Sequence, residues 1–500
     1  MMVYDAKKDK TTIIDSREKA SSGAEPDMFL DENGNPIPFD QRVMMGDAVG
    51  IPGTLKGLET AYEKWGTVRW KKLVKPAVKL AKHGVEVNWV LADAIEDNQK
   101  KLSRSAAKDV FLPNGEPLQE GDILIQNDLT HTLKMIAKHK SDALYKGPVA
   151  EALSSTVQKF GGTITQEDLA NYDVTVDQPL MGTYRGYKLA TMPPPSSGGL
   201  TVLQILNLLE GYKMKQYGPR SPEKYNLLAE AMHLAYADRG AYIGDPKFVD
   251  VPMKGMLDDD YLDQRRQLIE LGKANKNVKP GNPWAYQEGE NPGYVEQPNG
   301  KKTGQTTHFT VADQWGNLVS YTTTIEQEFG TGIMVPGYGF MLNNEMTDFD
   351  AVPGGANQVK PNKRPMSSMS PTIVFDKNGN PFMTVGSPGG KTIITSVAQT
   401  IINVIDYGMD PKQAIEEPRI YSPNYPGIRW EKGIPKETRS ELEQLGYDFD
   451  KKSRDIGNVQ MIMVHPNFYL GAADSTRQGR ALGIDHVKGN HHGHHNEHDD

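Results

Sequence analysis

The chain has 500 residues, of which 37% are apolar and 24% charged, with a formal net charge of −8. That length allows a large core, in one layered unit or in roughly two or three domains, and the even spread of Lys and Arg leaves no basic stripe for nucleic acid. No stretch approaches the ~18 uninterrupted apolar residues of a membrane helix, and the absence of cysteine excludes disulfides, thiol catalysis and Cys–zinc sites.

Met1 to Tyr4 and Thr11 to Ile14 are apolar or β-branched around a polar turn, so they read as a hairpin. The chain opens as a strand would, and no signal peptide is visible. Residues 20–40 read as loop; a helix follows Gly53 and another runs over Lys71–Lys82. Ser221-Pro222-Glu223 has the Ser, Pro and early acid of a helix start, and Tyr225, Leu228, Met232, Ala235 and Tyr236 give that helix an apolar face. Residues 274–304, rich in Gly, Pro, Asn, Lys and Glu, read as a long exposed linker. Beyond it, Thr307–Ala312 and Leu318–Thr323 flank a polar turn, as do Thr372–Phe375 and Phe382–Val385, and a helix follows Gly390. Helices dominate the first part and strands the second, which predicts stacked sheets covered by helices. The His-rich stretch His491–His498 reads as a disordered tail that could bind metal adventitiously.

A turn centred on Trp315 would set Ala312 opposite Leu318 and Thr306 opposite Thr324, placing two hydroxyls side by side. Thr is also a good strand residue, and such pairs are ordinary packing. The context is different, because Gln305-Thr306-Thr307-His308 lies where the linker meets a strand, and a chain can be cut there without damage to its core. If Thr306 became a chain terminus, its α-amine, with a pKa of about 7.7–8, could act as base for its own hydroxyl.

Gly386-Ser387-Pro388-Gly389-Gly390-Lys391-Thr392 joins a strand to a helix, where free amides can hold an anion. The readings are an oxyanion hole, a phosphate loop, or only a tight turn. A phosphate loop needs G-x-x-x-x-G-K, and Gly386 stands one residue too close to Gly390-Lys391. Arg17, with Ser367 and Ser368, suits a carboxylate. Glu326, Glu345 and Asp348 could hold an ammonium group, though each alone would pass as a surface residue.

Thr306-Thr307-His308-Phe309, Phe329-Gly330-Thr331-Gly332, Leu342-Asn343-Asn344-Glu345-Met346, Ser367-Ser368-Met369, Gly386-Ser387-Pro388-Gly389-Gly390 and Pro193 to Gly199 together resemble the gamma-glutamyltransferases, from Met1 to about Ile484. Within that family the chain is similar to the secreted enzymes of bacilli. The resemblance implies a four-layer αββα N-terminal-nucleophile hydrolase fold, secretion, and a precursor cut between Gln305 and Thr306 into a large-subunit part, 1–305, and a small-subunit part, 306–490, ahead of the tail, 491–500. It implies Thr306 as nucleophile, Thr324 as its hydroxyl partner, and oxyanion amides from Gly389 and Gly390. Arg17, Ser367 and Ser368 would hold a carboxylate, and Glu326, Glu345 and Asp348 an ammonium, with Pro193 to Gly199 structural. No cofactor or metal is implied. Substrates would be glutathione, glutamine and longer γ-linked glutamate polymers, with amine acceptors. Two departures stand out: the family's upstream Gly-rich segment is missing, and the Asp350–Arg364 stretch is short and polar, so an open pocket is expected. A glutaryl (cephalosporin) acylase of the same fold, or an unprocessed and inactive chain, are the alternatives.

Overall fold

A computed structural model describes residues 1–298 and 304–484. The His-rich tail lies outside the described residues, as do positions 299–303 at the end of the expected linker.

The opening hairpin and the hairpin after Thr306 meet edge to edge. The central strands, numbered in chain order, are β1 (Met2–Asp5), β2 (Lys10–Asp15), β3 (Thr175–Asp177), β4 (Leu180–Tyr184), β5 (Tyr187–Thr191), β6 (Thr307–Ala312), β7 (Leu318–Thr323), β8 (Thr372–Phe375), β9 (Pro381–Gly386), β10 (Gln460–Val464) and β11 (Tyr469–Ala473). One sheet has the order β3-β2-β1-β7-β6, the other β11-β10-β9-β8-β5-β4. Strand β1 pairs antiparallel with both β2 and β7, with Met2 opposite Ile13 on one side and Ser320 on the other.

The two-residue side-chain period of a strand divides each sheet into two faces. Met2, Tyr4, Ile13 and Leu318 point from the five-stranded sheet onto Ala190, Ile373 and Phe375 of the six-stranded one. Polar contacts cross the same seam: Thr310 Oγ1 donates to Thr384 Oγ1 at 2.8 Å, and Ser320 Oγ to the Val385 carbonyl at 3.1 Å.

Four helices matter to the site: α1 (Thr54–Trp65), α2 (Gly198–Glu210), α3 (Pro222–Tyr242) and α4 (Thr392–Ile405). The last three join one large apolar core with the six-stranded sheet. Helix α3 starts as expected, with Ser221 Oγ accepting from the Lys224 amide at 3.2 Å. Helix α1 lies against β2 on the far side of the five-stranded sheet, close enough that a Cβ on Gly57 would come within 2.7 Å of Ser16. This completes the helix–sheet–sheet–helix layering, though the outer face near β6 is thinly covered: Phe309 is 45% and Val311 48% exposed.

One expectation needs correction. Residues 274–304 are not wholly exposed, because Trp284 is buried beside Tyr242 and Met256, and the Gly281 amide donates to Asp238 at 2.8 Å. Polar composition marks the backbone as loop, but one aromatic is enough to anchor it to the core. The Asp350–Arg364 stretch is polar yet largely packed. Lys363 Nζ is buried on the carbonyls of Ala356 and Gln358 at 2.7 and 2.8 Å, and Arg364 Nε donates to the Arg17 carbonyl at 3.1 Å. Long cationic side chains here satisfy loop carbonyls that would otherwise be buried without donors.

Candidate active site

The hairpin of β6 and β7 has the expected register, from Ala312 opposite Leu318 to Thr307 opposite Thr323. One step further, Thr306 faces Thr324, and the Thr306 hydroxyl donates to the Thr324 hydroxyl at 3.3 Å. Thr324 Oγ1 in turn donates to the Gln305 carbonyl at 2.9 Å and accepts the Glu326 amide at 2.8 Å. A single hydroxyl thus touches both the Thr306 side chain and the carbonyl of the Gln305–Thr306 peptide bond.

The loop from β9 to α4 comes against the same bond. Gly389 has φ +131° and Gly390 φ +58°, both in the left-handed region that favours glycine. Gly304 packs directly on Gly390: a Cβ on Gly304 would stand 3.1 Å from the Gly390 Cα, and one on Gly390 3.2 Å from the Gly304 backbone. Gly304, two residues before Thr306, therefore lies on Gly390. His308, two residues on, is buried on the inner face with Nδ1 2.8 Å from Thr322 Oγ1, and its ring occupies the space a Cβ on Gly386 would need. Burial, and then the positive amino terminus, push its pKa down to about 3, so it is neutral there.

Beside Thr324 a cleft is lined by Ser16, Arg17, Glu18, Thr54, Thr323 and Met369. Arg17 is almost fully buried, and its carbonyl and guanidinium are both engaged. The guanidinium donates to the Pro365 and Met366 carbonyls at 3.2 and 3.1 Å, to Glu345, and to Asp348 at 2.6 Å. Glu18 stands 3.9 Å away. Three acids share one arginine in a buried place. Burial pushes the Glu345 carboxyl well above its ordinary range against the pull of Arg17, and holds Glu18 at about 7. The two groups expected to grip opposite charges on opposite sides are in direct contact here. A buried guanidinium needs a counter-charge, and these acids supply it.

Ser367 is buried, and its hydroxyl accepts from the Met369 amide at 3.0 Å. Ser368 Oγ accepts from Arg239 Nη2 at 2.9 Å. Glu326 opens a loop of unusual backbone, with φ +75° at Glu326, +59° at Phe329 and +53° at Gly330. The site thus gathers Thr306, Thr324, Gly390 and Glu326 around the Gln305–Thr306 bond, and Arg17, Glu345 and Asp348 in one ion cluster.

Several contributors were not read from the sequence. Lys101 is buried and donates to the carbonyls of Glu328 and Gly330, each at 3.0 Å. Asn357 donates to the Asp348 carbonyl at 2.8 Å and accepts the Met366 amide at 2.9 Å, tying the two halves of the cluster. Arg239 and Glu18 are the others. Glu18, adjacent to Arg17, is the only one that position in the sequence could have suggested.

A profile of the gamma-glutamyltranspeptidase family matches residues 1–484. The glutathione hydrolase proenzyme of Bacillus subtilis strain 168 is 61% identical over 487 residues, covering 97% of this chain and 83% of that protein. The chain belongs to the gamma-glutamyltranspeptidase family. A second member-like relative, the acylase ACY 1 proenzyme of Pseudomonas sp. strain SE83, is 36% identical over 480 residues, covering 94% of this chain and 82% of that protein. Among solved structures, the cephalosporin acylase of Bacillus halodurans superposes with a TM-score of 0.85 at 24% identity, over 97% of this chain and 86% of that one. That likeness bears on the fold alone, which is the N-terminal-nucleophile hydrolase layering described above.

Proposed function

We propose that this chain is a gamma-glutamyltransferase and glutathione hydrolase that matures by cutting itself between Gln305 and Thr306. The observation that carries the reading is the Thr324 hydroxyl, bonded at once to Thr306 Oγ1 and to the Gln305 carbonyl. Thr306 Oγ1 adds to the Gln305 carbonyl carbon while Thr324 donates to the oxygen as negative charge grows on it. The C–N bond breaks, the nitrogen takes the proton as a free amine, and an ester joins Gln305 to Thr306. Water then hydrolyses that ester, leaving a Gln305 carboxylate and a free Thr306 hydroxyl.

The new α-amine, with a pKa of about 7.7–8, takes the hydroxyl proton in each turnover. Thr306 attacks the γ-carbonyl of glutathione, amides of Gly389 and Gly390 hold the oxyanion, and the proton passes to the departing amine. The glutamyl ester goes to water or to the amine of an amino acid or peptide acceptor. Departure of Gly304 from Gly390 frees the space where this substrate carbonyl binds.

Substrate class follows from charge. Three acids surround one arginine, and an arriving cation draws the raised Glu345 and Glu18 carboxyls to their charged form, so the cluster can accept the α-ammonium that a γ-glutamyl group brings. A glutaryl group brings none, which disfavours the acylase reading. Arg17, Ser367 and Ser368 face the α-carboxylate in this scheme; Glu326, Glu345 and Asp348 face the ammonium. Glutamine and γ-linked glutamate polymers present the same group. A chain without cysteine suits export, and we read the enzyme as secreted.

The test compares a γ-glutamyl anilide with the glutaryl anilide. Wild type should prefer the γ-glutamyl compound, and Asp348→Ala should erase most of that preference while the chain still cleaves itself. Arg17→Lys, which loses the planar fork, should cut γ-glutamyl turnover likewise. A wild type that prefers the glutaryl compound is an acylase.

A further inference from the structure

We propose that Arg239 is a positioning residue for the substrate α-carboxylate, acting through Ser368; the proposal rests on the γ-glutamyl reading above. Arg239 lies in the last turn of α3 and is 5% exposed. Its Nε donates to Ser197 Oγ at 2.7 Å and its Nη2 to Ser368 Oγ at 2.9 Å. Neither partner carries charge. The adjacent acid, Asp238, is turned to Arg265 at 3.1 Å, and no carboxylate among the described residues forms an ion pair with Arg239. Arg17, Arg265 and Arg419, equally buried, each meet an acid.

A buried guanidinium without a counter-ion is costly, and an arriving anion relieves the cost. The guanidinium reaches Ser368, next in sequence to Met369, which lines the cleft. Ser368 spends an oxygen lone pair on Arg239, which leaves its own hydrogen to donate and makes it a stronger donor. Arg17 is ion-paired with Glu345 and Asp348, whereas the guanidinium that reaches a serine hydroxyl of the Ser367–Ser368 turn, that of Arg239, has no carboxylate partner among the described residues.

The same guanidinium reaches the Pro193 to Gly199 stretch through Ser197. Ser197, held by Arg239, donates its hydroxyl to the Ser367 carbonyl at 2.6 Å. Its amide donates to the same carbonyl at 2.8 Å, and the Ser367 amide donates to Pro195 at 3.1 Å. Ser196 Oγ closes on the Met369 carbonyl at 2.6 Å. The stretch fixes the backbone of the serine turn, and Arg239 connects it to the hydroxyl that meets the ligand.

The experiment uses the matured enzyme and two anilides: γ-glutamyl, and 4-aminobutyryl, which keeps the ammonium and lacks the α-carboxylate. Arg239→Met should raise KM for the γ-glutamyl anilide about tenfold, the loss of one charge-assisted hydrogen bond, with a smaller change in kcat. Its kcat/KM for the 4-aminobutyryl anilide should stay within about twofold of wild type, since the lost interaction is one that substrate never made. Arg239→Lys, which keeps the charge but not both bonds, should fall between. If Arg239→Met does not fold, Arg239→Lys carries the same comparison. Equal losses on both substrates, or an unchanged KM for the γ-glutamyl anilide, would overturn the role of Arg239. A wild type that prefers the 4-aminobutyryl anilide would instead overturn the γ-glutamyl reading.

Discussion

A threonine hydroxyl is a weak nucleophile until a base takes its proton. In the proposed self-cleavage Thr306 has no free amine, so the neighbouring hydroxyl of Thr324 would do the work of positioning it and polarising Gln305. Thr324→Ala should therefore slow self-cleavage, followed by the appearance of two bands on a denaturing gel, by about 100-fold. Thr324→Ser should recover most of the rate. Wild-type cleavage in Thr324→Ala would reduce the pair to packing. The pairing of these residues was legible because hairpin register is set by one turn, and Asp313 to Asn317 is a strong turn. The ion cluster was not. Arg17 and Asp348 are far apart in the sequence, and nothing in residue spacing says that a cation and the acids near it will touch each other. Arg239 was hidden for the same reason, inside a helix whose buried face circles nearly all round and so leaves no polar stripe to notice.

At the scale of elements, the loop from Glu326 to Gly332 is the part whose shape is least favourable by itself. Its positive φ values at Glu326 and Phe329 have to be held from outside. Lys101, at the end of the short helix Gln99–Leu102, does this with its bonds to the Glu328 and Gly330 carbonyls. Lys101→Met would leave those buried carbonyls short of a donor and should cost about 1–3 kcal/mol of stability. It should also raise KM for a γ-glutamyl anilide, since Glu326 moves with the loop. Thermal unfolding and KM together check this; a variant matching wild type in both would show that the loop holds itself. The helices after Gly53 and Ser221 and the two hairpins of the second half were legible from caps, periodicity and turns. Strands β4, β5, β10 and β11 were not read, because sheet position overrides local preference: Gly182 sits in the middle of β4 and Gly471 in the middle of β11. The buried Trp284 was missed inside a stretch whose composition says loop.

For the whole molecule, the proposed cut between Gln305 and Thr306 would divide the chain but not the sheets. The five-stranded sheet takes β1, β2 and β3 from before the bond and β6 and β7 from after it; the six-stranded sheet mixes β4 and β5 with β8 to β11. Helices α2 and α3 share one apolar core with α4 across the same divide. Two fragments joined in this way cannot part without unfolding both sheets. The resemblance to the family conveyed the layers and the cut, but the shared sheets are what make a cut chain remain one protein. The central claim is tested most directly by measuring the mass of the purified protein twice, native and denatured. The native particle should keep the mass of the whole chain, while denaturation releases fragments ending at Gln305 and beginning at Thr306, and Thr306→Ala gives a single intact chain without γ-glutamyl activity. An active protein that remains one chain on denaturation, or fragments that meet at any other bond, would contradict it.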